Sequence, residues 1–198
     1  GAELGRADLR DVKGAGMRLK MASLTGTNLT GGSFPGASLW RANLLQAIVQ
    51  DVDLSGADLT EANFHAVNLS GSNFAGATMI RTSLTKTNMI GVNLSGADLT
   101  GANLSEAKLH DADMRGANMH KADLPTADMT GANLRGASFE DANLTWSTMV
   151  NADLRGVNFS KANLGSADLS GADLSGANLT GARFCKTKMP TGMDNSDC

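Results

Sequence analysis

An apolar residue returns at every fifth position along almost the whole chain. It is Leu, Phe, Met or Val at 37 of 38 consecutive positions from Leu4 to Met189, and the exception is Gly14. Two positions before it stands a small residue, which is Ala at 25 of the 38 positions, and the residue between them is Asp or Asn at 24. A period of five fits neither an α-helix nor a β-strand sustained over this length.

Each five-residue unit reads locally as an extended piece followed by a corner. Ala57, Asp58 and Leu59 point in, out and in, and Thr60 and Glu61 then turn the chain. One such coil cannot bury its own inward face, whereas stacked coils bury it against each other and pair their backbones at a spacing of about 4.8 Å. A narrow interior requires a small residue beside each large one, and it explains why only 4% of the residues are aromatic.

The tandem units of Ala, then Asp or Asn, then Leu, such as those in residues 97–104, resemble the pentapeptide-repeat family. The resemblance covers about residues 2–189. It implies an all-β fold, a right-handed quadrilateral parallel β-helix, and both the handedness and the four pentapeptides per coil come from the family. On this basis we predict a β-helix of about nine and a half coils over residues 1–189 and a C-terminal cap over residues 190–198, closed on Cys185.

Two places depart from the pattern, and the first coil is open. Gly14 removes a core side chain, so that either the flexible Met17 fills the space or the chain forms a local bulge. Ile48 occupies an outward position where Asp or Asn is usual. The first coil begins in phase at Ala2 and Leu4 and leaves backbone groups unpaired. We therefore predict that removed residues cap it or that another chain packs there, as a dimer through the uncapped N-terminal coil.

The last residues leave the five-residue pattern and contain both cysteines of the chain. Pro, Gly and Asn predict a lid over the last coil, with Met189 and Met193 as candidate plugs. Cys185 and Cys198 flank this lid, which favours a disulfide between them, and the alternative is two free thiols in a cytosolic protein. The tail also resembles the ending of pentapeptide-repeat proteins of the cyanobacterial periplasm and the plant thylakoid lumen. That resemblance implies one of these compartments, reached through a targeting segment that this sequence lacks.

Nothing in the repeat predicts a catalytic, cofactor-binding or metal site. His65, His110 and His120 share no column if four units form a coil, and the cysteines do not have zinc-ligand spacing. Ser residues stand at corners without a matching His and acid, and a filled tube has no room for a substrate. We therefore predict that the protein is not an enzyme and has no cofactor.

Charge and hydropathy exclude two further classes of partner. The formal net charge of −3 and the pI of about 5.5 give no basic field that would hold nucleic acid. No run of about 18 apolar residues exists that could span a bilayer. The partner that remains is another protein, whose identity the sequence does not give.

Apolar residues at outward positions mark a candidate contact patch for a partner or a second copy. Corner positions should be polar, yet Trp40 and Ile80 would share one column two coils apart. The full candidate patch consists of Trp40, Leu45, Ile48, Ile80 and Ile90. A second, smaller group consists of Trp146 and Val150. Scattered exposed apolar residues are normal on soluble proteins, so chance is the alternative to a contact surface.

Two functions remain after these exclusions. The first is a non-enzymatic structural or protein-interaction module of the thylakoid lumen or periplasm, indicated by the cap and by the lack of a catalytic constellation. The alternative is a DNA-mimicking inhibitor of a type II topoisomerase, which the family resemblance also implies. Such mimicry needs one strongly acidic surface, whereas this chain has Arg115, Arg135 and Arg155 at corners. We therefore favour the interaction module.

Overall fold

The chain, described by a computed structural model over residues 1–194 and 196–198, winds into stacked coils of twenty residues. Parallel bridges join each outward residue to the residue twenty positions later, from Glu3 and Ser23 at one end to Asp168 and Lys188 at the other. Twenty residues are four pentapeptides, so each coil has four faces. The predicted right-handed quadrilateral parallel β-helix is confirmed.

We number the faces by their outward residues in chain order. The first face contains residue 3 and every twentieth residue after it, and the second, third and fourth faces start in the same way at residues 8, 13 and 18. The second face is bordered by the corner positions 5–6 and 10–11 and by their equivalents in later coils. Adjacent coils exchange backbone hydrogen bonds, as where Leu24 donates to Asn43 at 2.8 Å and Asn43 donates to Ala22 at 2.9 Å.

The interior is filled by the apolar residue and the small residue of each unit. Ala57 and Leu59 are both fully buried, and the same holds for most equivalent positions. Where the small residue is Thr or Ser, its hydroxyl donates to a backbone carbonyl: Thr82 Oγ1 lies 2.9 Å from the oxygen of Leu59. Among the described residues only Ser38 Oγ is a buried side-chain polar atom without a partner. The tube is therefore packed along its length.

Every corner has the same backbone geometry. The second corner residue has φ between +53° and +72° at each position from Arg6 to Lys186, whether or not it is glycine. An Asp or Asn before the corner stabilises it, as where Asp53 Oδ1 accepts the Ser55 N–H at 3.1 Å. Left-handed φ is most costly for bulky residues. Trp146, with φ +62°, is therefore an unusual corner residue.

The core is continuous at Gly14, and no bulge forms there. Bridges pair Lys13 with Ser33 in register, as elsewhere in the helix. A Cβ on Gly14 would come within 2.5 Å of the Phe34 ring and 2.9 Å of Met17 Cε. The space is thus filled by Met17, as the sequence suggested, together with a Phe from the next coil.

The C-terminal residues form the hairpin of strands β1 (Thr187–Met189) and β2 (Gly192–Asp194), which pair antiparallel. A disulfide joins Cys185 and Cys198, whose Cα atoms lie 4.8 Å apart. The described residues form no helix, and hence none that could cross a membrane.

Met189 packs against the core, but the prediction that Met193 plugs it is wrong, because 57% of Met193 is exposed. Met193 pairs with Lys188, which reaches outward to Asp168 at 2.8 Å. Directly paired residues share a face of the hairpin, so Met193 points outward with Lys188.

Candidate interaction surface

Exposed apolar side chains concentrate on the second face and its two bordering corners. Ile48, on the face itself, is 43% exposed, and Ile90 and Trp146, at the two corners, are 42% and 67% exposed. The other large exposed apolar residues among the described ones, Met21 and Met193, lie in the first coil and the C-terminal hairpin. Three of the five large exposed apolar residues among the described ones therefore lie on one side of the rod.

A shallow concavity of about 690 Å³ lies on the same face. Lys108 occupies the outward position where Asp or Asn would otherwise stand, and Ile90 borders the concavity from the preceding coil. The lining residues are Ile90, Glu106, Ala107, Lys108, His110, Thr126 and Asp128. The second face thus combines apolar borders with a charged centre.

The charged centre contains a close contact between a His and an Asp of adjacent coils. His110 Nε2 lies 2.8 Å from Asp128 Oδ2. The other oxygen of Asp128 accepts the Thr130 hydroxyl at 2.7 Å and the Thr130 N–H at 3.1 Å. Asp128 is therefore held in place by Thr130 of its own coil and lies beside His110 of the preceding coil.

The predicted patch is divided between two parts of the surface. Leu45, Ile48 and Ile90 lie on the second face or its bordering corners. Trp40 and Ile80 share a column on the corner between the fourth and first faces, where both are half-buried. The Arg41 guanidinium covers the Trp40 ring at 4.4 Å and donates to Glu61 at 2.6 Å, so this second location is partly screened by charge.

Arginine side chains clamp aspartates beside the third face. Arg155 donates to Asp153 from Nε at 2.8 Å and from its backbone N–H at 3.2 Å. The guanidinium hydrogen bond is the largest cause that lowers the pKa of Asp153 from 3.8 to about 2. Arg115 lowers the pKa of Asp113 by the same contact. Arg135 stands between the two clamps in the column, so basic groups follow one another along this corner.

Over residues 1–194 and 196–198, no three His, Cys, Asp or Glu side chains come together in a group that could hold a metal ion. The concavity on the second face offers two carboxylates and one imidazole: Asp128 contacts His110 and Thr130, and Glu106 lies 3.6 Å from the Lys86 ammonium. The arrangement is suited to contacts with a complementary charged and apolar surface.

The repeat itself decides which family the chain belongs to. The family model described as Pentapeptide repeats (8 copies) matches residues 22–60, 62–101, 93–131, 137–176 and 152–189. These segments cover well over half of the chain. The chain belongs to the pentapeptide-repeat family. Proteins of this family are generally non-enzymatic.

Solved structures of other pentapeptide-repeat proteins are similar to this chain. QnrB1, a plasmid-mediated fluoroquinolone resistance protein, is 18% identical with a TM-score of 0.75, covering 90% of this chain and 93% of its own. HetL, involved in heterocyst differentiation regulation in the cyanobacterium Nostoc sp. strain PCC 7120, is 30% identical with a TM-score of 0.40, covering 96% and 90%. A protein from the Arabidopsis thaliana thylakoid lumen is 25% identical with a TM-score of 0.32, covering 68% and 69%. No curated protein matches the chain.

In this pentapeptide-repeat protein, the sequence indicated only some of the residues that distinguish the second face from the others. Ile48 and Lys108 depart from Asp or Asn at outward positions, and both depart on the second face. Their spacing of sixty residues, a multiple of the coil length, was the available signal. The contact between His110 and Asp128 could not be predicted from residue spacing, because it depends on the directions of two side chains in adjacent coils.

Proposed function

We propose that this pentapeptide-repeat protein is a non-enzymatic structural or protein-interaction module of the thylakoid lumen or periplasm. The observation that carries the proposal is the concentration of Ile48, Ile90 and Trp146 on one side of a rod whose core is already filled. These side chains contribute nothing to the interior, and apolar groups gathered on one surface are typical of contact sites. A rigid rod displays such groups in fixed positions without a hinge or a lid.

The C-terminal cap supports the choice of compartment in this proposal. The only two cysteines of the chain are joined in a disulfide that closes the last coil. Disulfides persist in oxidising compartments and are rare in a reducing cytosol. The test is localisation of the protein expressed from its natural gene, with thiol alkylation before lysis to record the redox state of Cys185 and Cys198. A cytosolic protein with alkylated free thiols would overturn this part of the proposal.

Partner capture tests the interaction role. The protein is used as bait in an extract of its native compartment. Ile48→Ser and Ile90→Ser alter the second face. Trp40→Ala and Ile80→Ala alter the other part of the predicted patch. Arg135→Ser, an exposed residue on the corner between the third and fourth faces and so outside both, is the control. We expect one specific partner to be lost with one pair of variants and retained with the control. Equal capture by all variants would contradict a role for either surface.

The alternative, inhibition of a type II topoisomerase by DNA mimicry, is not favoured by the charge distribution. Asp153 and Asp113, on the third face, are each neutralised by an arginine clamp. The likeness to QnrB1, at 18% identity, concerns the fold alone. A supercoiling assay with purified gyrase distinguishes the two functions, because clear inhibition at micromolar protein would reverse our preference.

A further inference from the structure

We infer that the second face is a self-association surface, on which two copies of the chain pack face to face with their long axes antiparallel. The inference concerns a second copy, and it stands whether or not the partner protein proposed above exists. Flat faces built of stacked strands pack against each other at about 10 Å. The charges and apolar groups of the second face decide the relative direction and register of the two copies.

Parallel copies are disfavoured by the column of outward residues. A two-fold axis along the rod would place each outward residue of the second face against itself in the other copy. Lys108 would then oppose Lys108, and Asp128 would oppose Asp128. Like charges placed directly opposite each other are destabilising. A two-fold axis across the rod avoids this, because it keeps each column opposite itself but reverses the order of the coils.

Two neighbouring residues in the outward column of the second face determine the register, that is, which coils of the two copies lie opposite each other. Lys108 and Asp128 are bridged partners in adjacent coils, and both side chains reach solvent. When the axis passes midway between their coils, Lys108 of each copy faces Asp128 of the other, which gives two symmetric ion pairs. If the axis passed through the coil of Lys108 or through that of Asp128 instead, that residue would face the same residue of the other copy, which is a like-charge contact. One register is therefore favoured over its neighbours.

The same register also pairs the border residues. Ile90 falls opposite Val150 of the second copy, in the corner column that follows the second face. Lys86, whose Nζ lies 3.6 Å from Glu106 Oε1, falls opposite Trp146 in the corner column that precedes the second face. An ammonium over an exposed indole forms a cation–π contact, and the aliphatic pair loses its contact with water. Each of these contacts occurs twice by symmetry.

No like charges oppose each other over the six coils from Asn68 to Asp168. Glu106 faces Thr126, and Asp168 faces Asn68 in the other copy. At the usual strand spacing these coils span about 24 Å, so the contact covers only part of the rod. We therefore expect a dimer that dissociates on dilution.

Charge reversal tests the pairing. Sedimentation velocity across a concentration series should give a dimer for the wild type, and Lys108→Asp or Asp128→Lys alone should raise the dissociation constant at least about ten-fold. The two single variants, mixed in equal amounts, should form a heterodimer, because every opposing pair is then of opposite charge. Rescue on mixing also shows that both variants are folded.

A control pair has the same spacing on another surface. Lys121 and Asp141 are also twenty residues apart, on the corner between the fourth and first faces. Lys121→Asp and Asp141→Lys should leave the dissociation constant unchanged. A monomeric wild type at all concentrations would overturn the inference, as would a dimer insensitive to reversal at Lys108, which is the result expected of a dimer through the N-terminal coil.

Fluorescence provides a second measurement. Trp40→Phe leaves Trp146 as the only indole, and its side chain is 67% exposed in the single chain. Emission should shift to shorter wavelength as the protein is concentrated, and the shift should be absent when Lys108→Asp is added. An emission maximum independent of concentration would contradict burial of Trp146 in a dimer.

Discussion

Asp51 lies directly against Gly71 of the next coil, and its Oδ1 is so close that a Cβ on Gly71 would clash with it. Asp11 stands in the same relation to Gly31, as does Asp111 to Gly131. At this corner an acidic side chain therefore folds over the following coil, and the residue twenty positions later is glycine. The repeat thus carries a constraint between coils as well as within each pentapeptide.

Gly71→Ala is expected to destabilise the protein for two separable reasons. Its φ of +71° disfavours any side chain by about 1–2 kcal/mol, and the new methyl group must displace Asp51. Gly91→Ala is the matched control, because it has φ +64° and no atom within 4 Å of its Cβ position. Thermal unfolding should show a larger loss for Gly71→Ala, and the difference should vanish in an Asp51→Gly background. Equal losses for both alanine variants would contradict the contact.

Restoring the usual apolar residue at Gly14 is expected to destabilise the protein, although it improves the repeat. Leu at this position would overlap the Phe34 ring and Met17, at a cost of about 1–3 kcal/mol for an overpacked core. Phe34→Leu should recover part of the loss in the double variant, since it vacates the space. Denaturant unfolding of the wild type, the two single variants and the double variant measures the coupling energy between the two positions. If the losses in free energy of unfolding are additive, the Phe34 ring does not fill this site.

The sequence predicted the direction of almost every side chain, because a period of five with two inward residues leaves few alternatives. It did not predict the length of the coil, which came from the family resemblance. Contacts between adjacent coils therefore could not be predicted, including Phe34 against Gly14 and His110 against Asp128. Met193 was misplaced because the outward face of a short hairpin depends on strand pairing, which turn residues alone do not determine.

Lowering the pH through a defined range should reduce the contribution of Asp153 to the free energy of unfolding. Its pKa is lowered from 3.8 to about 2 by the Arg155 guanidinium, so its stabilising effect is fully present above 3.8 and is lost as the pH falls through about 2. The difference in melting temperature between wild type and Asp153→Asn should therefore shrink from pH 6 to pH 2. Asp141→Asn, an exposed acid without a described ion pair, is the control. A difference that is constant with pH would contradict the clamp.

Reduction of the Cys185–Cys198 disulfide should loosen the C-terminal cap while the rest of the helix stays folded. The bond closes a segment with a sequence separation of 13, and constraining a loop of this size contributes about 3 kcal/mol. The coils are held by their neighbours rather than by the cap, so unfolding at one end need not propagate. Trypsin should cleave after Lys186 and Lys188 much faster in Cys198→Ser or in reductant than in the oxidised protein. Cleavage after Lys121 or Lys161, in the body of the rod, should keep its rate, and a parallel increase there would show that the cap holds the whole helix together.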